Sequence, residues 1–285
     1  MIMSKSMPLT ERKGDEVMEY LVIKCGGSVM EQLPPSFYKN IVQLHESQSV
    51  IPVIVHGGGP LISTMMSKLG TEATFINGLR VTSAEVLDVV EMVLSGTVNK
   101  QIVRKLLQVK GQAFGMSGVD GMLLKAGPTK DATTLGYVGE VVEVNRKALD
   151  SMMNKGFIPV ISPIGMDESG QRYNINGDTA ASAIAKALGA KLCMISDIPG
   201  IYTELNGEKM TLKQITKKKV EDMISSGMIS GGMIPKVKAA IDGLLHGIPE
   251  VVILNGLEKD SLLHFMAGLE IGTKIVLSEE GHYVY

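Results

Sequence analysis

Five short runs rich in Val, Ile and Leu, at 20–24, 51–55, 157–162, 191–195 and 250–254, show no apolar–polar alternation. A strand covered on one face alternates; a strand covered on both faces does not. Between these runs lie segments with apolar residues at helical spacing. Residues 83–110 start at a candidate N-cap, Ser83, and place Val86, Val89, Val90, Val93 and Leu94 on one stripe. Residues 178–189 are Ala-rich and stop at Gly189, and residues 235–247 open with Pro235 and stop at Gly247. Buried strands alternating with helices predict a parallel sheet built from βαβ units, with helices on both faces. The Gly-rich stretch 112–145 breaks the pattern with short alternating runs, and reads as β-hairpins set on that sheet rather than in it.

A chain of 285 residues with 45% hydrophobic content can bury a sizeable core, as one large domain or as two lobes meeting near 189–191. The formal net charge of −2 offers no basic surface for a nucleic-acid backbone. No apolar run reaches the roughly 18 residues of a membrane-spanning helix. The first nineteen residues are polar and mixed in charge, without the apolar centre of a signal peptide. Cys25 and Cys193 both fall in strand-like runs and read as buried free thiols, which fits a reducing, cytoplasmic setting. Aromatic residues make up 4% and Trp is absent, so stacking platforms for bases or sugars are scarce.

Two of the buried runs lead straight into glycine: Ile23-Lys24-Cys25-Gly26-Gly27-Ser28 and Val55-His56-Gly57-Gly58-Gly59-Pro60. Strand, bare backbone, then helix brings amide N–H groups up to an anion. Neither segment has the spacing of a P-loop or of a dinucleotide fingerprint. Lys24 stands at the carboxyl end of its strand, where α/β ligands bind, although a lysine snorkelling beside an ordinary turn would read the same. Three consecutive glycines cost backbone entropy, which implies close approach by something. Arg80, in Asn77-Gly78-Leu79-Arg80-Val81-Thr82, could grip a carboxylate bidentately, but alone reads as a surface arginine. Asp178, in Asn174-Ile175-Asn176-Gly177-Asp178, either caps the following helix or orients lysines or a metal by its charge. Ser196-Asp197-Ile198-Pro199-Gly200-Ile201-Tyr202 closes another buried strand, and Ser230-Gly231-Gly232-Met233-Ile234-Pro235-Lys236 adds a glycine turn and a second lysine. His56 reads as structural, because no Ser or Cys nucleophile motif accompanies it. The other histidines lack metal-ligand spacing, and Lys217, Lys218 and Lys219 read as a solvated helix face.

In this order, across roughly residues 20–277, these motifs resemble the amino-acid kinase superfamily. The Gly-Leu-Arg-Val-Thr run, with Met92-Val93-Leu94-Ser95-Gly96 and Val98-Asn99-Lys100, is similar to the branch that acts on N-acetyl-L-glutamate. The resemblance implies a three-layer αβα sandwich with an open, mainly parallel sheet, the carbamate kinase-like fold. It implies an N-terminal extension (1–19), an N-terminal lobe for the amino acid and for dimerisation (20–190), and a C-terminal lobe for the nucleotide (191–285). The implied reaction is ATP-dependent phosphorylation of the side-chain carboxylate of N-acetyl-L-glutamate, a step of arginine biosynthesis, with Mg2+ carried by the nucleotide and no metal held by the protein. By motif, Lys24 and Lys236 would neutralise the moving phosphoryl group and Asp178 would organise the two lysines. Gly57, Gly58, Arg80 and Asn174 would hold the amino-acid substrate. Gly26, Gly27, Asp197, Ile198, Pro199, Gly200, Ile201, Tyr202, Met228, Ile229 and Ser230 would contact the nucleotide. A carboxylate nucleophile is ionised near neutral pH and needs no general base. The segment Gly268–Lys274 departs from arginine-inhibited members, which implies a homodimer with weak or no arginine feedback. The resemblance also admits a sibling kinase acting on a carrier-linked aminoadipate, and a non-catalytic amino-acid-binding regulator.

Overall fold

The computed structural model describes residues 18–205 and 208–278, so almost all of the extension expected at 1–19 lies outside the described residues. The main sheet contains β1 (Glu19–Cys25), β2 (Val50–His56), β3 (Ala113–Ser117), β4 (Ile158–Ser162), β5 (Lys191–Ser196), β6 (Gln214–Thr216), β7 (Val251–Asn255) and β8 (Thr273–Val276). Among the described residues these eight run in the order β6-β8-β7-β5-β1-β2-β4-β3. Only β7 against β8 is antiparallel; the other neighbours are parallel.

The unalternating runs are explained by two cores, one on each face. Leu21 and Ile23 of β1, Ile54 of β2 and Cys193 and Ile195 of β5 point into one. Val22, Val53, Val55, Leu192 and Met194 point into the other. In the central strands β2, β4 and β5 and the carboxyl-terminal part of β1, nearly every position is therefore buried and only the direction alternates. On the second face the helix α1 (Gly177–Leu188) supplies Ala180, Ala181, Ile184, Ala185 and Leu188, and its three alanines let it lie close to β1. The helix α2 (Met233–Leu245) packs beside it. This face receives Lys24, which follows the parity of Val22.

Three local readings change. The stretch 112–145 is not wholly separate from the sheet, because β3 is its edge strand, paired in parallel with β4. Gly115 marks contact with a helix: a Cβ there would collide with Asn99 Oδ1. The remaining strands of the region, Leu124–Pro128 and Val138–Val144, do pair antiparallel, and close with Ile164–Met166 and Arg172–Ile175 into a small four-stranded barrel. The helical stripe over 83–110 is capped by Ser83, which accepts from the Val86 amide, but its middle, Met92–Val98, is a π-helical segment. Finally, Asp178 is not the cap of α1. Asn176 is, accepting from the amides of Asp178 at 2.8 Å and Thr179 at 3.2 Å, which frees the Asp178 carboxylate.

The two glycine turns, at the carboxyl ends of neighbouring strands, touch each other. A Cβ on Gly27 would lie 2.9 Å from Gly58 Cα, Gly59 N and Pro60 Cδ. Two of those atoms are backbone and the third is a rigid ring, so none can swing away. Gly27→Ala is expected to cost about 1–3 kcal/mol through this overpacking. A urea midpoint equal to that of the parent protein would rule out the contact as described.

Candidate active site

The sheet positions the site through register. β1 ends beside β2 on one flank and β5 on the other, so Lys24 stands level with Val55 and Met194. Asp178, in the first turn of α1, reaches it from above: Lys24 Nζ and Asp178 Oδ1 are 2.7 Å apart, and both side chains are buried. Lys236, on the first half of α2, is also buried and donates to the Ile195 carbonyl of β5 at 3.3 Å. Two buried lysines thus share one carboxylate, leaving a net positive floor. Oδ1 of Asp178 has no well-aligned hydrogen-bond donor, so its contact with Lys24 is an ion pair by charge and distance rather than by direction. Burial raises the Asp178 pKa, yet the charges of Lys24 and Lys236 outweigh it and hold the carboxyl below its ordinary value. For Lys236 burial dominates and pulls the ammonium down to about 8, helped by Lys24 and opposed by Asp178.

Above this floor opens a cleft of about 500 Å³. Gly26, Gly27, Gly57, Gly58, Arg80, Asn174, Asp197 and Ile198 all line it with Lys24, Asp178 and Lys236. Arg80 is not a surface arginine; it is 6% exposed. Its Nη2 donates to the Gly59 carbonyl at 3.0 Å and to Ser63 Oγ at 2.8 Å, and the guanidinium lies over the Phe75 ring at 4.6 Å. No carboxylate among the described residues pairs with it, and burial lowers its pKa from the ordinary arginine value. A buried cation held by neutral acceptors is suited to meet an anion. Asn174 Nδ2 donates to Thr82 Oγ1 at 3.1 Å, and Thr82 in turn donates to the Arg80 carbonyl at 2.8 Å, so the two residues expected to hold one substrate are tied together.

An anion-seeking arginine, two lysines and two glycine turns around one cleft describe a site for polyanion and carboxylate chemistry. The sequence matches the amino acid kinase family over residues 19–255. The chain belongs to the amino acid kinase family. It is 49% identical to the acetylglutamate kinase of Oceanobacillus iheyensis, over 93% of this chain and 100% of that one. It is also 49% identical to the acetylglutamate kinase of Geobacillus kaustophilus, over 83% of this chain and 90% of that one. Among solved structures, smu.665 from Streptococcus mutans superposes with a TM-score of 0.79 at 32% identity, covering 91% of this chain and 99% of that one.

Other residues singled out in this amino acid kinase sit away from the cleft floor. Pro199, Gly200, Ile201 and Tyr202, and Met228, Ile229 and Ser230, are not part of the cleft lining that holds Lys24. Ile201 and Ile229 are core side chains, so contact with a ligand at these two positions would come from backbone, whereas Tyr202 and Met228 keep exposed side chains. Gly200, at φ 154°, is pressed against Thr273: a Cβ would lie 2.4 Å from its Oγ1. Thr273 Oγ1 accepts from the Ile201 amide at 2.8 Å and donates to the Leu212 carbonyl at 2.6 Å, which anchors this turn to β8. Sequence reasoning left out Phe75 and Leu94 of the cleft wall, and Ser63, which holds Arg80 from behind the lining. Nothing local marks Ser63, because its partner Arg80 is 17 residues away.

The pKa of Lys236 carries a stability signature. Unfolded, the lysine keeps its proton to about 10.5; folded, it releases it from about 8. Between those values the unfolded chain binds more protons, so the contribution of this group to stability rises as pH increases through the window. Relative to a Lys236→Met variant, the parent protein should gain stability from pH 8 to pH 10 in denaturant titrations. A constant difference between the two would show that Lys236 is not strained by burial.

Proposed function

We propose that this kinase transfers the γ-phosphoryl group of ATP to the side-chain carboxylate of N-acetyl-L-glutamate, giving N-acetyl-L-glutamyl 5-phosphate and ADP in arginine biosynthesis. The observation that carries it is the buried Lys24–Asp178–Lys236 floor facing Arg80 across one cleft. A carboxylate must approach a triphosphate that repels it, so cations have to stand around the transferred group. The substrate carboxylate is already ionised at neutral pH. Its oxygen attacks the γ-phosphorus, the bond to the bridging oxygen breaks, and ADP leaves with the electron pair; no proton moves.

Arg80 and Asn174 support an amino-acid end, with the guanidinium taking the α-carboxylate and the Asn174 side chain the acetylamino group. Asp197, Ile198, Gly232 and Met233, on the opposite rim, support a nucleotide end. This division assigns residues 20–190 to the amino acid and 191–285 to the nucleotide, although one sheet runs through both. Asp178 and Asp197 are the carboxylates of the cleft lining, and Asp178 is held by lysines, so Mg2+ fits as a passenger on the nucleotide phosphates. When bound, it would neutralise charge on the β- and γ-phosphoryl oxygens. The edge strand β3 with exposed Phe114, and Met92 at 60% exposure on the helical stripe, supply the surface for a homodimer. No described helix is long and apolar enough to cross a membrane. Buried free thiols at Cys25 and Cys193 suit a reducing cytoplasm.

Hydroxylamine trapping of the acyl phosphate tests the reaction, with N-acetyl-L-glutamate, glutamate and aminoadipate compared at equal concentration. N-acetyl-L-glutamate should be turned over fastest, Lys236→Ala should lower kcat about 10²–10³-fold, and Arg80→Ala should act mainly on KM for the amino acid. Faster turnover of either competitor would overturn the substrate assignment.

A further inference from the structure

His56 and Asn99 form a buried polar pair beneath the Gly57-Gly58-Gly59 turn that the phosphoryl-transfer chemistry leaves unused. Both are fully buried, with 0% exposure. Burial pulls the His56 pKa down to about 4, so the imidazole is neutral and carries one N–H. Its Nδ1 lies 3.0 Å from the Gly57 carbonyl oxygen, which can only accept, so the proton is on Nδ1. Nε2 is then a bare acceptor, and Asn99 Nδ2 faces it at 3.3 Å. The Asn99 amide is itself held in one orientation. Its Nδ2 donates to the carbonyls of Val160 at 2.8 Å and Met116 at 3.2 Å, and its Oδ1 accepts from Lys100 Nζ at 3.0 Å. This arrangement permits one tautomer of His56, because a proton on Nε2 would point at an amide nitrogen that cannot accept it.

The consequence falls on the next peptide. The Gly57 carbonyl and the Gly58 N–H belong to one planar unit and point in opposite directions. Glycine on both sides removes the Cβ barrier to rotating that unit, so local chain chemistry does not choose its orientation. The hydrogen bond from His56 does. With the carbonyl turned to the imidazole, the Gly58 N–H turns away from it. That amide makes no hydrogen bond to the described backbone, and Gly58 lines the cleft. The same helical segment also presses on the glycine from outside: a Cβ on Gly58 would lie 2.7 Å from Leu94 Cδ2 and 3.2 Å from Val98 Cγ2.

We infer that His56 and Asn99 are positioning residues, locking the Gly57–Gly58 peptide so that the Gly58 amide donates into the cleft to the oxyanion of the phosphoryl group in transfer. The inference rests on the proposed kinase reaction for its ligand, but not for the lock itself. A donor that acts mainly in the transition state changes kcat rather than KM.

Three measurements decide it. In nitrogen-15 NMR of the wild-type protein, His56 should be the Nδ1–H tautomer, and Asn99→Leu should raise the Nε2–H fraction. In steady-state kinetics corrected for folded protein, His56→Leu and Asn99→Leu should each lose about tenfold or more in kcat, with KM for N-acetyl-L-glutamate and for ATP within about threefold. His56→Asn, whose side-chain amide can still donate to the Gly57 carbonyl, should recover much of the loss. A wild-type Nε2–H tautomer overturns the lock. Unchanged kcat in folded His56→Leu, or no rescue by His56→Asn, overturns the positioning role. The NMR measurement needs no substrate, so a wild-type protein that ignores N-acetyl-L-glutamate sinks the proposed reaction and leaves the lock to be judged by its tautomer.

Discussion

The buried ion pair between Lys24 and Asp178 sets the terms for the rest of the molecule. Taking charges out of water costs several kcal/mol for each ion and is tolerated only with a close partner. Here the partner is 2.7 Å away, but a third charge, Lys236, is buried beside the pair without a carboxylate of its own. The protein's own side chains therefore leave the site with an excess of positive charge. That excess favours a polyanionic ligand. Holding that excess requires rigid strands and helices from both halves of the chain, β1 and β5 below and α1 and α2 above.

Close backbone approach is the second condition. Gly27 and Gly58 touch across the gap between β1 and β2, Gly115 admits the Asn99 side chain, and Gly200 sits against Thr273. In each case a methyl group would come closer than 3.0 Å to a neighbouring atom, backbone and a proline ring at Gly27 and side chains at the others. The glycines bring two strand ends and a helix near enough for polar groups from distant sequence to meet. The His56–Asn99 contact, between residues 43 apart, exists because of that closeness.

Much of the fold was legible in the residues. Unalternating Val and Ile runs mark strands buried on both faces, Ser83 and Gly189 mark helix ends, and the motif order places the chain in its family. Asp178 was harder, because an acidic residue opening a helix looks like a cap; that Asn176 takes that part shows only when amide directions are known. Arg80 reads as exposed from the sequence, because one arginine beside a turn carries no sign of the Gly59 carbonyl and Ser63 hydroxyl that cover it. The segment of β3 reads as part of the hairpins because the whole stretch 112–145 is Gly-rich, whereas Gly115 marks a helix pressed onto a strand.

Sequence alone determined the layer architecture, the glycine-capped strand ends and a lysine, Lys24, at the carboxyl end of one buried strand. Those follow from hydrophobic period and backbone freedom, which are local. Only the tertiary structure decided which charges share a partner, how far burial moves Lys236 and His56, and which way the Gly57–Gly58 peptide faces. These depend on distance and dielectric between groups up to about two hundred residues apart, and no local pattern encodes either.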